Sequence, residues 1–291
     1  MIRLRIFSEG DVACDLETWM SPSKLATLYD KEIVLTQNEY THAILINTCM
    51  PELTIPKENV IGISHEPNWL LFYLGDAHKR RFIEYAKKHI SRYFVGDKED
   101  LPDPFREGQP FFFYNNTHYP TVPKTKFCSI VISHLTGGYN YSYRHALVKA
   151  ILKTDLPIDI YGRGTYDYKD PRVKYPLPNT RDDPFGLEPF ESYQYHICIE
   201  NTVTNHYFTE KIINPLLSNN TPIYYGCRNI DTYFKGVLKL TGDVKTDIFL
   251  LQNIFKHRDM PITKDSYEEV VDKVNIFLHL HEVFESISLK S

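Results

Sequence analysis

The chain has 291 residues, a formal net charge of −4, and 42% hydrophobic and 24% charged residues. That length suits two domains, and the negative charge argues against a general binder of nucleic acids. The five cysteines are scattered with no C-x-x-C pair, which favours a reducing compartment. A charged N-terminus and the lack of an apolar run of about 18 residues predict no signal peptide and no transmembrane segment. We therefore expect a cytoplasmic protein, with peripheral membrane contact left open.

The first 120 residues alternate short apolar runs with helical patterns. Strands are predicted at residues 2–7, 42–46, 59–64 and 92–96, and helices at 21–28 and 76–88. This alternation is typical of a parallel sheet with crossover helices. Residues 98–124 are rich in proline, asparagine and charge, so we expect the connection between two domains there.

A second alternating unit follows this connection. Strands are predicted at residues 127–133, 158–162, 195–201, 222–226 and 237–240, and helices at 141–153 and 209–217. Residues 166–187 form a polar, proline-rich excursion. Apolar residues at helical spacing predict one long amphipathic helix over 267–280. The resulting domain prediction is 1–120, 121–265 and a C-terminal helix at 266–291.

The stretch from residue 195 to 226 reads as strand, polar loop, short helix and second strand. Its helical pattern begins at Thr209, Glu210 and Lys211. Thr209 suits an N-cap, because its side-chain oxygen can accept from a first-turn N–H. A helix N-terminus carries partial positive charge and binds phosphate readily, and Lys211 adds a full charge there. The stretch therefore predicts a seat for a phosphate-bearing ligand.

Each of these polar residues also has an ordinary explanation. Lys211 is equally explained by a pairing with Glu210 or another acid. Glu210 suits a helix start, where the dipole favours a carboxylate, and it also suits the hydroxyls of a ribose. Asn201 and Tyr207 are weak indications when taken singly. The residues taken one at a time leave these alternatives open.

Taken together, the order E-N-x-x-x-x-x-Y-x-T-E-K, a helix and then T-P-I-Y-Y-G resembles the signature of glycosyltransferase family 10, the α1,3/4-fucosyltransferases. The matching positions are Glu200, Asn201, Tyr207, Thr209, Glu210, Lys211, Pro222 and Gly226. The resemblance covers most of residues 59–235. It implies an α/β protein of the GT-B type, with two Rossmann-like α/β domains facing a cleft.

Three further segments carry the same resemblance. The helical segment YSYRHALVKAIL follows FCSIVIS and places Arg144 where the family's arginine meets the nucleotide diphosphate. The strand IDIYGRG places Tyr161 and Gly162 at a strand end typical of the family. The segment GISHEPNW places Glu66 at the position of the general base, with His65 as a second candidate.

The resemblance implies an inverting transfer of L-fucose from GDP-fucose to a hydroxyl of a glycan acceptor, with an α1,3-type linkage. Glu66 would take the acceptor proton, and Arg144, Lys211 and the helix end would stabilise the leaving diphosphate. Because the chain has no Asp-x-Asp motif, we expect no metal and no other cofactor. The alternatives are another donor, such as a UDP-linked pentose, and a non-catalytic sugar- or nucleotide-binding protein.

Overall fold

The computed structural model describes residues 2–8, 33–36, 38–108, 122–165, 168–174 and 186–285. The chain divides into two compact units. Unit 1 consists of Met1–Thr117, Asn205–Tyr207 and Val274–Ser291, and unit 2 consists of His118–Thr204 and Phe208–Lys273. The helix predicted at residues 21–28 lies outside the described residues, as does part of the excursion at 166–187.

Unit 1 is built on a six-stranded parallel sheet in the order β2-β1-β3-β4-β5-β6. Its strands are β1 (Ile2–Phe7), β2 (Ile33–Leu35), β3 (His42–Ile46), β4 (Val60–Ile63), β5 (Arg92–Val95) and β6 (Phe105–Glu107). Helix α1 (Asn68–Leu71) follows β4, and α2 (Asp76–His89) leads into β5. The strands predicted at 2–7, 42–46, 59–64 and 92–96 and the helix predicted at 76–88 are confirmed.

Alternate residues of each strand point to opposite sides of this sheet. Buried side chains cover both of its faces. One face packs Leu45, Val60 and Tyr93 with Phe82 and Ala86 of α2. The other face carries a second buried cluster. Strands that are buried on both faces read as continuous apolar runs, as these strands do in the sequence.

The single helix predicted over residues 267–280 is wrong. The structure has α7 (Tyr267–Val274), a 3-10 turn at Ile276–Leu278 and α8 (Leu280–Glu285). The chain passes from unit 2 to unit 1 after Lys273. Ile276, Leu280 and Val283 are buried in the second cluster of unit 1. One straight helix has a single apolar stripe and cannot pack its two halves into the cores of two different units. The helix therefore ends where the chain changes units.

Unit 2 contains a second six-stranded parallel sheet in the order β12-β11-β10-β7-β8-β9. Its strands are β7 (Lys126–Val131), β8 (Ile158–Tyr161), β9 (Val173–Lys174), β10 (Tyr193–Ile199), β11 (Thr221–Tyr225) and β12 (Leu238–Lys239). Its helices before α7 are α3 (Tyr139–Ile151), α4 (Glu188–Glu191), α5 (Glu210–Leu217) and α6 (Val244–Lys256). The elements predicted for 127–133, 141–153, 158–162, 195–201, 209–217, 222–226 and 237–240 are confirmed with bounds shifted by a few residues.

The strand order of unit 2 reverses between β7 and β10. The chain builds β7, β8 and β9 in one direction, and then β10, β11 and β12 in the other. In open α/β sheets, the loops diverge at such a switch point and leave a crevice at the carboxyl ends of the strands. The loops after β7 and β10 therefore border the natural ligand crevice of unit 2.

A buried histidine lies on β10, in the middle of this sheet. His196 is 3% exposed, and its Nδ1 lies 2.8 Å from the hydroxyl of Ser129. That hydroxyl donates its own proton to the carbonyl of Pro189, so it accepts from a protonated Nδ1. Burial lowers the pKa of His196 to about 3, so the ring is neutral in the folded protein at neutral pH.

This histidine predicts a stability that falls in weak acid. An unfolded histidine binds a proton below a pH of about 6.5, whereas His196 in the fold resists protonation until about pH 3. The stability is thus complete above pH 6.5 and is lost as the pH falls, by about 2 kcal/mol between pH 7 and 5. Urea titrations at several pH values should show a flatter pH dependence for His196→Gln. The same change at the exposed His257 serves as the control, and equal slopes for both variants would refute the assignment.

Candidate functional site

The loop after β10 leads into α5, whose first turn faces the switch-point crevice of unit 2. Thr209 is the N-cap of α5, with extended backbone angles of −134° and −172°. Its hydroxyl accepts a hydrogen bond of 3.3 Å from the backbone N–H of Lys211. The N–H of Ile212 donates to the Thr209 carbonyl at 3.2 Å. Thr209 therefore satisfies the N–H groups of Lys211 and Ile212, and the helix end keeps the partial positive charge of its dipole, which attracts anions.

A buried carboxylate holds this N-cap in place. Glu200 is fully buried; its Oε1 accepts from the N–H of Thr209 at 2.8 Å, and its Oε2 accepts from the Thr209 hydroxyl at 2.8 Å. Its backbone N–H donates to the carbonyl of Tyr225 on β11, and its carbonyl accepts from Nδ2 of Asn140. Burial raises the pKa of Glu200, while the Lys211 charge opposes that shift. Glu200 therefore positions Thr209, and its carboxylate oxygens are engaged inside the unit.

A glycine makes room for this carboxylate. A Cβ on Gly226 would overlap the side chain of Glu200 and lie 2.6 Å from the hydroxyl of Tyr224. Both neighbours are buried, so neither has space to withdraw. The glycine that ends the sequence signature is thus required by the buried acid that begins it.

Lys211 lies among three oxygen-bearing side chains. Its Nζ is 2.9 Å from Oε1 of Glu210, 3.2 Å from the Thr209 hydroxyl and 3.9 Å from Oε2 of Glu200. Burial alone would lower the pKa of Lys211, but the two carboxylates outweigh it and raise that pKa. Lys211 is therefore a permanent cation at the start of α5, and its pairing with Glu210 is observed.

The side chain of Arg144 extends toward the start of α5 from α3, the helix that follows β7. The side chain is 4% exposed, and its Nη2 donates to the carbonyl of Ile199 at 2.5 Å and to Oδ1 of Asn201 at 3.5 Å. Its Cζ lies 5.3 Å from the ring centroid of Tyr141. Burial lowers the pKa of Arg144, with Glu200 among the charges that oppose the shift. The guanidinium remains charged in any protein environment.

The structure therefore brings together six of the residues singled out from the sequence, all in unit 2. They are Arg144, Glu200, Asn201, Thr209, Glu210 and Lys211. Two helices contribute one cation each, and the β10 loop contributes the polar groups between them. The two cations and the helix N-terminus give this end of α5 groups that suit a diphosphate, while Glu200 and Glu210 balance the formal charge of the cations.

Gly162 and Tyr161 end β8, beside this crevice. Gly162 has a φ of 104°, and a Cβ there would overlap the carbonyl of Ile132, so only glycine lets the chain turn this close to the end of β7. The side chain of Tyr161 is buried, and its hydroxyl lies 2.7 Å from that of Tyr193, which donates to Asp159. The hydroxyl contacts of Tyr161 thus lie in the interior of unit 2 and do not involve the residues around the start of α5.

Tyr207 is buried and belongs to the short segment Asn205–Tyr207 that the structure groups with unit 1. A Cβ on Gly96 would lie 3.1 Å from the Cβ of Tyr207, which shows how closely the two backbones approach. His206 has a φ of 57°, and its Nε2 is 3.3 Å from Oε1 of Glu107. The segment is therefore fitted closely into unit 1 at the ends of β5 and β6.

Glu66 and His65 lie in unit 1, directly after the carboxyl end of β4. The hydroxyl of Ser64 donates to the carbonyl of Glu66 at 2.6 Å and accepts from its N–H at 3.3 Å. The N–H of His65 donates to Oδ1 of Asn47, the residue that follows β3. Both candidate bases are half-buried. Hydrogen bonds from two neighbouring strand ends thus fix the turn that carries them.

Comparison with known proteins identifies the site-bearing region. Residues 121–237 match the family model for the C-terminal domain of glycosyltransferase family 10 (fucosyltransferase). Over this region the chain is similar to the family 10 glycosyltransferases.

Individual relatives of the chain carry names that agree with the family model. A candidate fucosyltransferase, R654, of Acanthamoeba polyphaga mimivirus is 28% identical over 185 residues, which cover 60% of this chain and 28% of that protein. A candidate fucosyltransferase-like protein of Arabidopsis thaliana is 26% identical over 39% of this chain and 20% of its own length. The chain spans less than a third of the length of these curated relatives.

The fold is that of the GT-B type. The crystal structure of an alpha1,3-fucosyltransferase with GDP-fucose superposes with a TM-score of 0.54. The superposition covers 100% of this chain and 90% of that chain at 15% sequence identity. The GT-B fold predicted from the resemblance, with two Rossmann-like units, is confirmed.

The sequence analysis missed two residues that contact this cluster in unit 2. Asn140 is 4% exposed and donates to the carbonyl of Glu200, and the ring of Tyr141 lies against Arg144. Both are in the first turn of α3, after Gly138 with its φ of 91°. The glycine pair before a helical pattern was the available signal, since it marks a helix start at the end of a central strand.

The parts of the chain that the structure describes contain no group of three or more histidine, cysteine, aspartate or glutamate side chains arranged to hold a metal ion. Within the same ranges, no helix is both long and apolar enough to span a membrane.

Proposed function

We propose that this protein is a fucosyltransferase that moves L-fucose from GDP-fucose to a hydroxyl of a glycan acceptor, with inversion at the anomeric carbon and an α1,3-type linkage. One observation carries the proposal: Arg144 and Lys211 meet at the N-terminus of α5, at the topological switch point of the region that matches the family 10 model. A structural relative has been crystallised with GDP-fucose, which supports the same class of donor here.

In this proposal the diphosphate of the donor lies against the start of α5. The partial positive charge of the helix N-terminus attracts one phosphate, and Nζ of Lys211 contacts it. Arg144 offers a planar fork that suits the second phosphate; its described hydrogen bonds all use Nη2. Glu210 and Asn201 supply oxygen and amide groups for the ribose hydroxyls.

The transfer itself is a single displacement. The oxygen of the acceptor hydroxyl attacks the anomeric carbon of fucose as the bond from that carbon to the β-phosphate oxygen breaks. Glu66 takes the proton of the attacking hydroxyl, with His65 as the second candidate base. The electron pair leaves with GDP, and Arg144 and Lys211 stabilise the added negative charge. Attack from the side opposite the leaving group inverts the configuration.

We further propose that the reaction needs no metal ion. In many nucleotide-sugar enzymes, a divalent cation neutralises the leaving diphosphate. Here, two cations and a helix N-terminus lie beside the position that the diphosphate would occupy. Hydrogen bonds hold both cations in place beside Glu200 and Glu210.

The donor is tested by transfer from GDP-fucose and from UDP-linked sugars to a library of disaccharides. We expect transfer from GDP-fucose, an unchanged rate after dialysis against EDTA, and a product that proton coupling constants show to be inverted. Transfer from a UDP-linked pentose in place of GDP-fucose would contradict the donor. Loss of activity in EDTA that Mn²⁺ restores would contradict the metal-free mechanism, and nucleotide binding with no transfer would indicate a binding protein.

The base is tested by Glu66→Gln, which preserves the shape of the side chain and removes its basicity. We expect kcat to fall by about 10²- to 10⁴-fold, the usual contribution of a general base. The affinity for GDP should change less than twofold, because Glu66 contacts the acceptor. The matched control is Glu58→Gln, at an exposed glutamate just before β4 in the same unit.

Full activity of Glu66→Gln would remove Glu66 from the mechanism. If His65→Gln were then inactive with unchanged GDP affinity, the base would be His65. Equal losses in Glu66→Gln and Glu58→Gln would point to a general effect of charge in unit 1.

A further inference from the structure

Directly after Glu66, unit 1 exposes three large apolar side chains within six residues. Trp69 is 54% exposed, Tyr73 67% and Leu74 57%. We refer to these three residues as the aromatic ridge. The other large apolar side chains that are exposed in the described ranges are scattered: Val34, Leu135, Phe249, Met260 and Leu278. Single exposed apolar residues are ordinary, whereas a cluster marks a surface that meets a partner or ligand.

The backbone under the ridge is firmly hydrogen-bonded. The N–H of Leu71 donates to the carbonyl of Pro67 at 2.8 Å, and the N–H of Phe72 donates to that of Asn68 at 3.1 Å. Nδ2 of Asn68 donates to the carbonyl of Asp97 at 2.7 Å. Hydrogen bonds thus hold the backbone of this segment at Asn68 and through the single turn of α1.

The inward side of this segment is already filled. Leu71 is 4% exposed, and the ring of Phe72 lies 6.3 Å from that of Phe82 in the core of unit 1. Because Leu71 and Phe72 occupy the inward positions, Trp69 and Tyr73 have no place in the core. Their exposure follows from the pattern of the segment, and their rings are held in place at low cost in chain entropy.

The chemistry of these rings suits a sugar. Indole and phenol rings present a flat apolar face together with one polar group, so they serve surfaces that are both apolar and wet. One face of a pyranose ring displays mainly C–H bonds, while its hydroxyls point outward from the rim. Stacking covers both apolar faces and leaves the hydroxyls in water. A pyranose is therefore a closer match to Trp69 and Tyr73 than a charged ligand is.

The position beside Glu66 indicates that the sugar is part of the acceptor. Trp69 lies three positions after Glu66 in the chain, so their Cα atoms are at most about 11 Å apart. That is the scale of one or two sugar residues. A glycan whose reacting hydroxyl lies at Glu66 would place its ring, or the adjacent ring, over Trp69.

We propose that Trp69 and Tyr73 form an acceptor subsite that stacks on the apolar face of a pyranose in the glycan to be fucosylated. The subsite rests on the proposed function, since it assigns the acceptor to the surface next to the base. Trp69 and Tyr73 select acceptors by the shape of the ring, and Leu74 extends the apolar surface to a second residue of the glycan.

Kinetics of Trp69→Ala and Tyr73→Ala test this subsite. We expect the KM for the acceptor to rise by about tenfold in each variant, while kcat at saturating acceptor and the KM for GDP-fucose stay within twofold. Trp69→Phe, which keeps a ring, should recover most of the acceptor affinity. The control is Phe249→Ala, at a 73% exposed ring on α6 of unit 2, and it should leave every constant unchanged. Acceptor KM values within twofold of wild type in both alanine variants would overturn the subsite.

Fluorescence gives a second measurement that needs no turnover. The chain has two tryptophans, Trp19 and Trp69, so Trp69 is the only one left in the variant Trp19→Phe. Titration with lactose, cellobiose and chitobiose should change its emission saturably for at least one disaccharide, and GDP alone should not reproduce that change. No response to any of the three would contradict the subsite.

These outcomes separate the subsite from the proposed function. If wild type transfers no fucose, the proposed function fails. If wild type transfers fucose and the ridge variants keep their acceptor KM, the subsite alone fails. If sedimentation shows a dimer that Trp69→Ala converts to a monomer without a change in acceptor KM, the aromatic ridge joins two copies of the chain, and the subsite is refuted.

Discussion

The contact between the carboxylate of Glu200 and the N-cap Thr209 organises the site of unit 2. Glu200 directly follows β10 and is fully buried, and both of its carboxylate oxygens accept hydrogen bonds from Thr209. A buried acid without partners would be costly, so this geometry fixes where α5 begins. Lys211 and Arg144 then take their places around the start of α5. The contact thus ties the end of a strand at the switch point to the first turn of α5.

The same contact explains why several neighbours are what they are. Gly226, directly after the adjacent strand β11, has no Cβ, because Glu200 occupies that space. Asn140 at the start of α3 satisfies the Glu200 carbonyl and ties the helix after β7 to the loop after β10. The two loops that border the crevice are thus hydrogen-bonded to one residue. A diphosphate binding there would meet a preformed site and would need little reorganisation.

The sequence predicted the parts of this site that depend on local patterns. Period-2 and period-3.6 apolar spacing located the strands and α5, and Thr209 was correctly placed as its N-cap. The role of Glu200 could not be predicted, because only the packing of β10 against β11 shows that its side chain is buried. The hydroxyl of Tyr161 is engaged by Tyr193, a partner 32 residues away, which no local pattern reveals. The long helix predicted at 267–280 failed because apolar spacing does not show that the chain changes units after Lys273.

The central claim is that Glu200 positions α5 to bind a nucleoside diphosphate. Calorimetric titration of GDP into wild type and Glu200→Gln tests it most directly, with circular dichroism to show that both are folded. In the variant, an amide NH₂ replaces one of the two oxygens that accept from Thr209, so the start of α5 is no longer fixed. The account predicts that GDP binds wild type and that its affinity falls at least about tenfold, or about 1.4 kcal/mol, in Glu200→Gln. Equal affinities for GDP in the two folded proteins would contradict it.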